Sequence, residues 1–358
     1  MNVAVLGVPG IPEITTGDDL GTVIRTAVEA AELRVQPGDI LVVASKIVAK
    51  SLGLRRYAAR DLVIAEETRR VVAERATGER VTRVVESAAG PVMAAAGVDE
   101  SNLGPDGGVL LLPRNPDAAA AAVLASLRAA LGHASDEPLG VIISDTAGRP
   151  WRGGIVDFAL GSAGVHAYDD HRGGSDTDGR PLLVTTIAVA DEIAAAADLV
   201  KGKVAGAPVA IVRGLPWATT DPDVPGAAAI VRTGPGDWFR SGHVEAVRAA
   251  LGVIPGSPLS EQVGIRALQP ESPQLRAERA VRLAVAPLDT FSDTGIASVG
   301  AWVRWPVAEL AGDDDFTLGR VLTRLEVAAV SEDLAVTGVE HRGSRVTVTL
   351  ADHPASTP

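Results

Sequence analysis

The chain contains no cysteine. Disulfides, thiolate nucleophiles and Cys-ligated zinc or iron–sulfur centres are therefore excluded. Histidine is scarce, with 6 residues, which argues against a multi-histidine metal site. Aromatic residues make up only 3%, so a core must be built from Ala, Val, Leu and Ile, and no stacking surface for nucleic-acid bases emerges. Basic stripes are missing as well. With a formal net charge of −12, the chain is a poor ligand for a polyanion. A small anion is still compatible, because a local cluster or a cation reverses the field. No apolar run is long enough to span a bilayer; the Ala-rich stretch 117–131 is too short and carries Arg128. Residues 1–8 lack a basic start and read as a strand rather than a signal peptide. The expectation is a soluble, cytoplasmic protein with neither nucleic acid nor membrane as partner.

What is present is length and punctuation. At 358 residues the chain exceeds one typical core, so two domains are expected. The 38 Gly and 23 Pro favour many short turns. Strands are expected at 3–8, 40–44, 109–112, 140–144, 182–188 and 208–213. Helices are expected from Thr16 or Asp18 to residue 32, then at 61–78, 117–131 and 191–200. Composition changes after Leu251. Residues 252–262 read as a linker, and 263–358 read as a small α+β domain with helices near 274–286 and 316–330. A hairpin is expected at 334–340 and 345–350, turned by Arg342-Gly343-Ser344. The fold class expected is α/β in the mixed α+β sense: open mixed sheets with flanking helices, followed by the smaller domain. No repeat of fixed period is present.

Two segments carry the chemistry. In Ser144-Asp145-Thr146-Ala147-Gly148-Arg149-Pro150-Trp151-Arg152 an apolar strand ends at an Asp-Thr pair, and Gly148 and Pro150 turn the chain between two arginines. In Ala96-Gly97-Val98-Asp99 a second Asp follows an apolar run. Strand ends in open α/β sheets face a shared crevice. Asp99, Asp145 and Thr146 would suit Mg²⁺ or Mn²⁺, which prefer oxygen donors. The alternative is that both aspartates are helix caps or turn residues. Ser45 at a strand end and Lys50 one helical turn later suit a phosphate, although the Walker spacing is missing and a surface lysine fits equally. The loop Lys201-Gly202-Lys203-Val204-Ala205-Gly206 offers backbone amides to phosphate oxygens, or is an ordinary helix end. Residues 169–180 form an acidic loop without calcium-loop spacing.

Taken in order, these segments resemble the F420-0:gamma-glutamyl ligase family of deazaflavin coenzyme biosynthesis. The matching residues are Gly10-Ile11-Pro12-Glu13-Ile14, Gly17-Asp18-Asp19-Leu20, the run from Gly38 to Lys50, and Ala96 to Asn102. Further matches are Ser144 to Arg152, Val189-Ala190-Asp191-Glu192-Ile193 and Val209 to Gly214. The resemblance spans residues 1 to about 245. It implies a homodimeric ligase that uses GTP to activate the lactyl carboxylate of F420-0 as an acyl phosphate, which L-glutamate then attacks. It implies GTP as co-substrate, Mg²⁺ or Mn²⁺, and K⁺ as a further ion. Asp99, Asp145 and Thr146 would hold the metal. Ile11, Pro12, Glu13, Ile14, Ser45, Lys50, Asn102 and Lys201, Gly202, Lys203, Val204, Ala205, Gly206 and Ala207 would contact GTP. Arg149 and Arg152 are catalytic candidates for the phosphoryl charge or an anionic substrate. The chain departs from the family at Leu52, where an acidic residue is common, at Ala95, where Asn is common, and at Lys203, which replaces a Glu. Leu52 and Ala95, with a shortened segment between Glu86 and Met93, motivate a second reading, an inert nucleotide-binding or regulatory homologue; the acidic pair would also serve a third, a metal-dependent phosphohydrolase. The tail after residue 252 is not explained by the resemblance.

Overall fold

The structure is a computed structural model that describes residues 2–101, 103, 107–202, 206–286, 298–302, 305–311 and 314–353. The chain opens with β1 (Ala4–Val8), α1 (Leu20–Ala30), β2 (Ile40–Ala44), α2 (Ser45–Ser51), β3 (Arg55–Arg56) and α3 (Arg60–Glu66). Next come β4 (Thr68–Thr77), β5 (Arg80–Ser87), β6 (Val92–Ala94), β7 (Val109–Leu110) and α4 (Pro116–Leu131). They are followed by β8 (Gly140–Arg149), β9 (Arg152–Ala163), β10 (Asp169–Asp170), β11 (Thr186–Ile187), α5 (Val189–Lys201) and β12 (Val209–Arg213). The last part contains α6 (His243–Ala250), α7 (Pro258–Val263), α8 (Pro273–Val285), β13 (Ser298–Trp302), β14 (Trp305–Ala311), α9 (Asp315–Val330), β15 (Leu334–Arg342) and β16 (Arg345–Asp352). The fold is mixed α+β, as expected. No helix among the described residues is long and apolar enough to cross a membrane.

Two compact units are present. The first comprises residues 1–69 and 86–236, the second 70–85 and 237–358. The first is built on a five-stranded sheet ordered β1-β12-β2-β8-β9. Strands β2 and β8 run parallel, and the other neighbours are antiparallel. The sequence of β2, Ile-Leu-Val-Val-Ala, is apolar without alternation because both faces are covered. Leu41 and Val43 pack on one side with Ile24 and Val28 of α1 and Val123 and Leu127 of α4. Ile40 and Val42 pack on the other with Val189, Ile193 and Ala197 of α5. The period of two thus splits one strand between two cores. Gly21 lets α1 approach α4, since a Cβ there would collide with Ser126.

The second unit has its own core, in which Leu283 of α8, Leu325 of α9 and Val348 and Leu350 of β16 are fully buried. Its antiparallel sheet is ordered β13-β14-β16-β15. Leu251, Val253 and Val263 belong to this core. Residues 252–262 are therefore part of the unit and include most of α7, rather than the linker expected from their Pro and Gly content.

Three further expectations are corrected. Residues 61–78 are not one helix: α3 stops at Glu66, and β4 pairs with β5 across Gly78-Glu79. The charges suggested helical pairing, but the β-branched runs Val71-Val72 and Val84-Val85 favour strands, and Gly78 supplies the positive φ of the turn. The region 182–188 contains only the two-residue β11. Finally, β8 does not end at Asp145. It continues to Arg149 and forms a hairpin with β9, with Trp151 at φ 60 in the turn.

Candidate functional site

The cavity of about 550 Å³ in the first unit lies where β2 and β8 leave the apolar core. Ala44 and Ser144 are register partners on these parallel strands. The next residues, Ser45 and Asp145, therefore emerge side by side, and the Ser45 hydroxyl donates to Asp145 Oδ1 at 3.2 Å. This is the carboxyl-end crevice of an open sheet. The register with β9 shifts at the same point: Ile143 pairs with Gly161 and Ser144 with Ala159, so Leu160 of β9 is the extra residue. Ser144, Asp145 and Thr146 all line the cavity.

Asp157 of β9 organises one wall. It is the register partner of Thr146, whose hydroxyl donates to Asp157 Oδ1 at 2.7 Å. Lys201 Nζ donates to Asp157 Oδ2 at 2.7 Å and to Ser144 Oγ at 2.5 Å. The Ser144 hydroxyl donates to Asp157 Oδ2 at 2.9 Å. Burial alone would push the Asp157 carboxyl up; the Lys201 ammonium and these hydrogen bonds outweigh it and hold the group below the usual carboxylate range.

Asp145 is treated differently. No Lys or Arg among the described residues pairs with it. Its side chain keeps some surface toward the cavity but is otherwise packed round by protein. Loss of water, with lesser repulsion from Asp157 and Asp99, pushes its pKa up to about 6 against the hydrogen bonds from the Thr146 backbone and Ser45. The site thus contains one carboxylate that the protein neutralises and one that it does not.

Asp99 reaches the cavity from a strained stretch. Ala95, Ala96 and Gly97 all have positive φ, at 53, 54 and 72°. The chain then pairs Asp99 with Leu110 through two backbone hydrogen bonds. Lys46 Nζ lies 2.8 Å from Asp99 Oδ2. Burial raises the Asp99 carboxyl, but Lys46 and the Ser101 backbone and hydroxyl outweigh it, and the net shift is downward. Ile11, Pro12, Glu13 and Ile14 also line the cavity, and Lys50 Nζ lies 2.5 Å from Glu13 Oε1. Lys50 is buried and Glu13 exposed.

The structure therefore brings together Asp99, Asp145, Thr146, Ser45, Lys50, the 11–14 segment, Lys201, Gly202, Gly206 and Ala207 around one cavity. Lys201 enters as a buried wall residue, not as the tip of a basic loop. Asn102, Lys203, Val204 and Ala205 lie outside the described residues. Arg149 and Arg152 are not brought to this cavity. Because β8 continues in the ladder, Arg149 lies roughly 13 Å along the strand from Asp145. It lines a second cavity instead, and Arg152 is exposed beside the hairpin turn. Asp157 was missed in the sequence, where the available signal was a lone carboxylate inside the apolar run Ile155-Val156-Asp157-Phe158-Ala159.

In chemistry the donor set fits a divalent cation. Its oxygens are hard, and Asp145 presents a carboxylate that lacks a counter-charge. Among the described residues no group of three or more His, Asp or Glu side chains is arranged to hold an ion. A cation would therefore rely on the two aspartates, the Thr146 hydroxyl, and water or substrate oxygens.

A family model described as F420-0:Gamma-glutamyl ligase matches residues 10–214. The chain is 41% identical over 234 residues to the coenzyme F420:L-glutamate ligase of Methanothermobacter thermautotrophicus, covering 61% of this chain and 91% of the relative. It is 38% identical over 267 residues to the protein of the same name from Halorubrum lacusprofundi, covering 68% and 95%. With the namesake from Methanopyrus kandleri it shares 37% identity over 254 residues, covering 65% and 96%.

Proposed function

The chain belongs to the F420-0:gamma-glutamyl ligase family, and from that premise we propose that it joins L-glutamate to F420-0 through an amide bond at the expense of GTP. The observation that carries this reading is the convergence of Asp99, Asp145 and Thr146 with Ser45, Lys50 and Lys201 on one cavity. These residues come from separate segments of the chain. The gathering of carboxylates and ammonium groups suits a triphosphate and its counter-ion.

In the proposed reaction a carboxylate oxygen of F420-0 attacks the γ-phosphorus of GTP, and GDP leaves. The amine of L-glutamate attacks the acyl carbon, phosphate leaves, and the amine nitrogen loses a proton. No protein nucleophile is needed. A divalent cation bound by Asp99, Asp145 and Thr146 would supply positive charge to the triphosphate oxygens. The chain's own contribution is positioning and charge. Lys50 and Lys201 both line the cavity, Ser45 orients the Asp145 carboxylate, and Asp157 fixes both the Lys201 ammonium and the Thr146 hydroxyl. The homodimer, the cytoplasmic location and a K⁺ requirement belong to the same reading and rest on the family resemblance alone.

The test is mass spectrometry of the product formed from F420-0, L-glutamate, GTP and Mg²⁺ or Mn²⁺. A glutamylated product that needs every component is the expected result. Nucleotide binding without product, or phosphate release indifferent to glutamate, would overturn the proposal.

A further inference from the structure

A second cavity, of about 460 Å³, lies farther along the β8–β9 hairpin in the same unit. That volume is in the range of small-molecule sites. Its character is opposite to that of the first. Val156 and Phe158 of β9 and Ile230 and Val231 form apolar walls. Two guanidinium groups, Arg149 and Arg232, line it, and neither has an ion-pair partner among the described residues. Two further carboxylates, Asp191 and Glu192, also line it; one Asp191 oxygen is occupied by the Ala159 amide, which donates to it at 2.9 Å. The decisive feature is Asp157, which lines both cavities. The two spaces share a wall at the residue that orients Lys201 and Thr146.

The ligase reaction requires two unlike ligands side by side. One is a highly charged triphosphate. The other is a larger molecule with a flat heteroaromatic ring and an acidic end that must meet the γ-phosphorus. Apolar walls suit the faces of a ring, and unpaired guanidiniums suit an anion. We infer that the second cavity binds the flat heteroaromatic end of the acceptor substrate, with Arg149 and Arg232 holding its anionic chain and the reactive carboxylate passing Asp157 into the first cavity. This inference rests on the ligase reading. It gives Arg149 the task of holding an anionic substrate in place of stabilising phosphoryl charge.

The experiment compares Arg232→Glu, Arg149→Glu and the double variant with the wild-type enzyme. Both side chains are exposed, so a thermal melt should show the fold retained. Each single variant should raise KM for F420-0 about 10-fold while KM for GTP stays within about twofold. Titration of F420-0 without GTP, followed by its own fluorescence, should show the same loss. Arg232→Lys should recover part of it. Wild-type turnover with unaltered F420-0 binding in the double variant would overturn the inference and leave the ligase reading standing. A raised KM for GTP in its place would do the same, by assigning these residues to the nucleotide. A wild-type protein that neither binds nor glutamylates F420-0 would overturn both.

Discussion

Asp145 in the first unit and Glu332 in the second are both enclosed carboxylates, and the protein handles them in opposite ways. Glu332 has no exposed surface. Arg279 of α8 holds its Oε2 through Nε at 2.9 Å and Nη2 at 2.7 Å, and Arg248 of α6 reaches Oε1 at 3.2 Å. Arg279 in turn grips Glu271 at 2.8 and 2.5 Å. Helices from separate parts of the unit are thus tied to one another by fully paired charge. Asp145 receives hydrogen bonds from the Ser45 hydroxyl and the Thr146 backbone, and no cation. The same chain that buries arginines against one carboxylate leaves another uncompensated beside a cavity. A carboxylate neutralised from within is architecture. One left open is a place for something that is not protein.

The largest expected effect tests that distinction directly. Asp145→Asn keeps size and the Ser45 contact but removes the charge. Turnover in the ligase assay should fall by roughly 10³-fold or more, with the melting temperature unchanged or raised. Glu332→Gln should do the reverse. It strands the buried Arg248 guanidinium, leaves Arg279 with Glu271 alone, and should destabilise the chain by about 3–5 kcal/mol in urea denaturation. KM values measured well below the melting temperature should remain as in the wild type. If Asp145→Asn cost as much stability as Glu332→Gln, the contrast between the two carboxylates would disappear.

These two sites were not equally legible in the sequence. Ser45, Asp145 and Thr146 were readable because they follow the apolar runs of β2 and β8, where side chains leave the core, whereas Lys50 sits within α2 and Asp99 follows the turn at 95–97. The central strands of the first sheet were readable for the same reason. Asp157 was hidden, because its partners are 11, 13 and 44 residues away: the hairpin register of β8 with β9 brings Thr146 and Ser144 to it, and α5 brings Lys201. The continuation of β8 past Asp145 was hidden too. Gly148 and Pro150 look like an immediate turn, yet the ladder runs to Arg149 before Pro150 and Trp151 reverse the chain. The longer ladder carries Arg149 to the second cavity and leaves Arg152 exposed beside the turn. In the second unit α8, α9 and the last hairpin were legible, while α6 and α7 were not. The Glu332–Arg279–Glu271 network was not, since charge patterns do not announce which members are buried.

A smaller effect sharpens the comparison through pH. Burial alone would raise the Glu271 carboxyl, but hydrogen bonds from Arg279 and the Ala267 amide outweigh it, and the net shift is downward. A carboxyl with a depressed folded-state pKa stabilises the fold above its unfolded value, near 4.3, and loses that contribution as pH falls through the folded value. Glu271→Gln should therefore cost about 1–2 kcal/mol at pH 7. The gap between variant and wild type should close progressively below about pH 4. Urea titrations at neutral and acidic pH would measure it. A gap that persisted unchanged in acid would mean that shape, not charge, holds Arg279 in place.

The smallest effect concerns the backbone that delivers Asp99. Ala95 has φ 53° and Ala96 φ 54°, a left-handed conformation that costs a Cβ-bearing residue about 1–2 kcal/mol. Asn tolerates this region because its short amide bonds locally to the backbone. An Asn at this position would have a physical reason, and the alanine in this chain retains the strain. Ala95→Asn should stabilise the chain by about 0.5–1 kcal/mol. Ala94→Asn, one residue earlier at φ −67°, should gain nothing, because that residue is extended. Equal gains at both positions would point to side-chain contacts in place of relieved strain. Gain at Ala95 alone would show that the segment carrying Asp99 is held in its conformation by the pairing of Asp99 with Leu110 and by the Lys46 ion pair, against the local preference of its own residues.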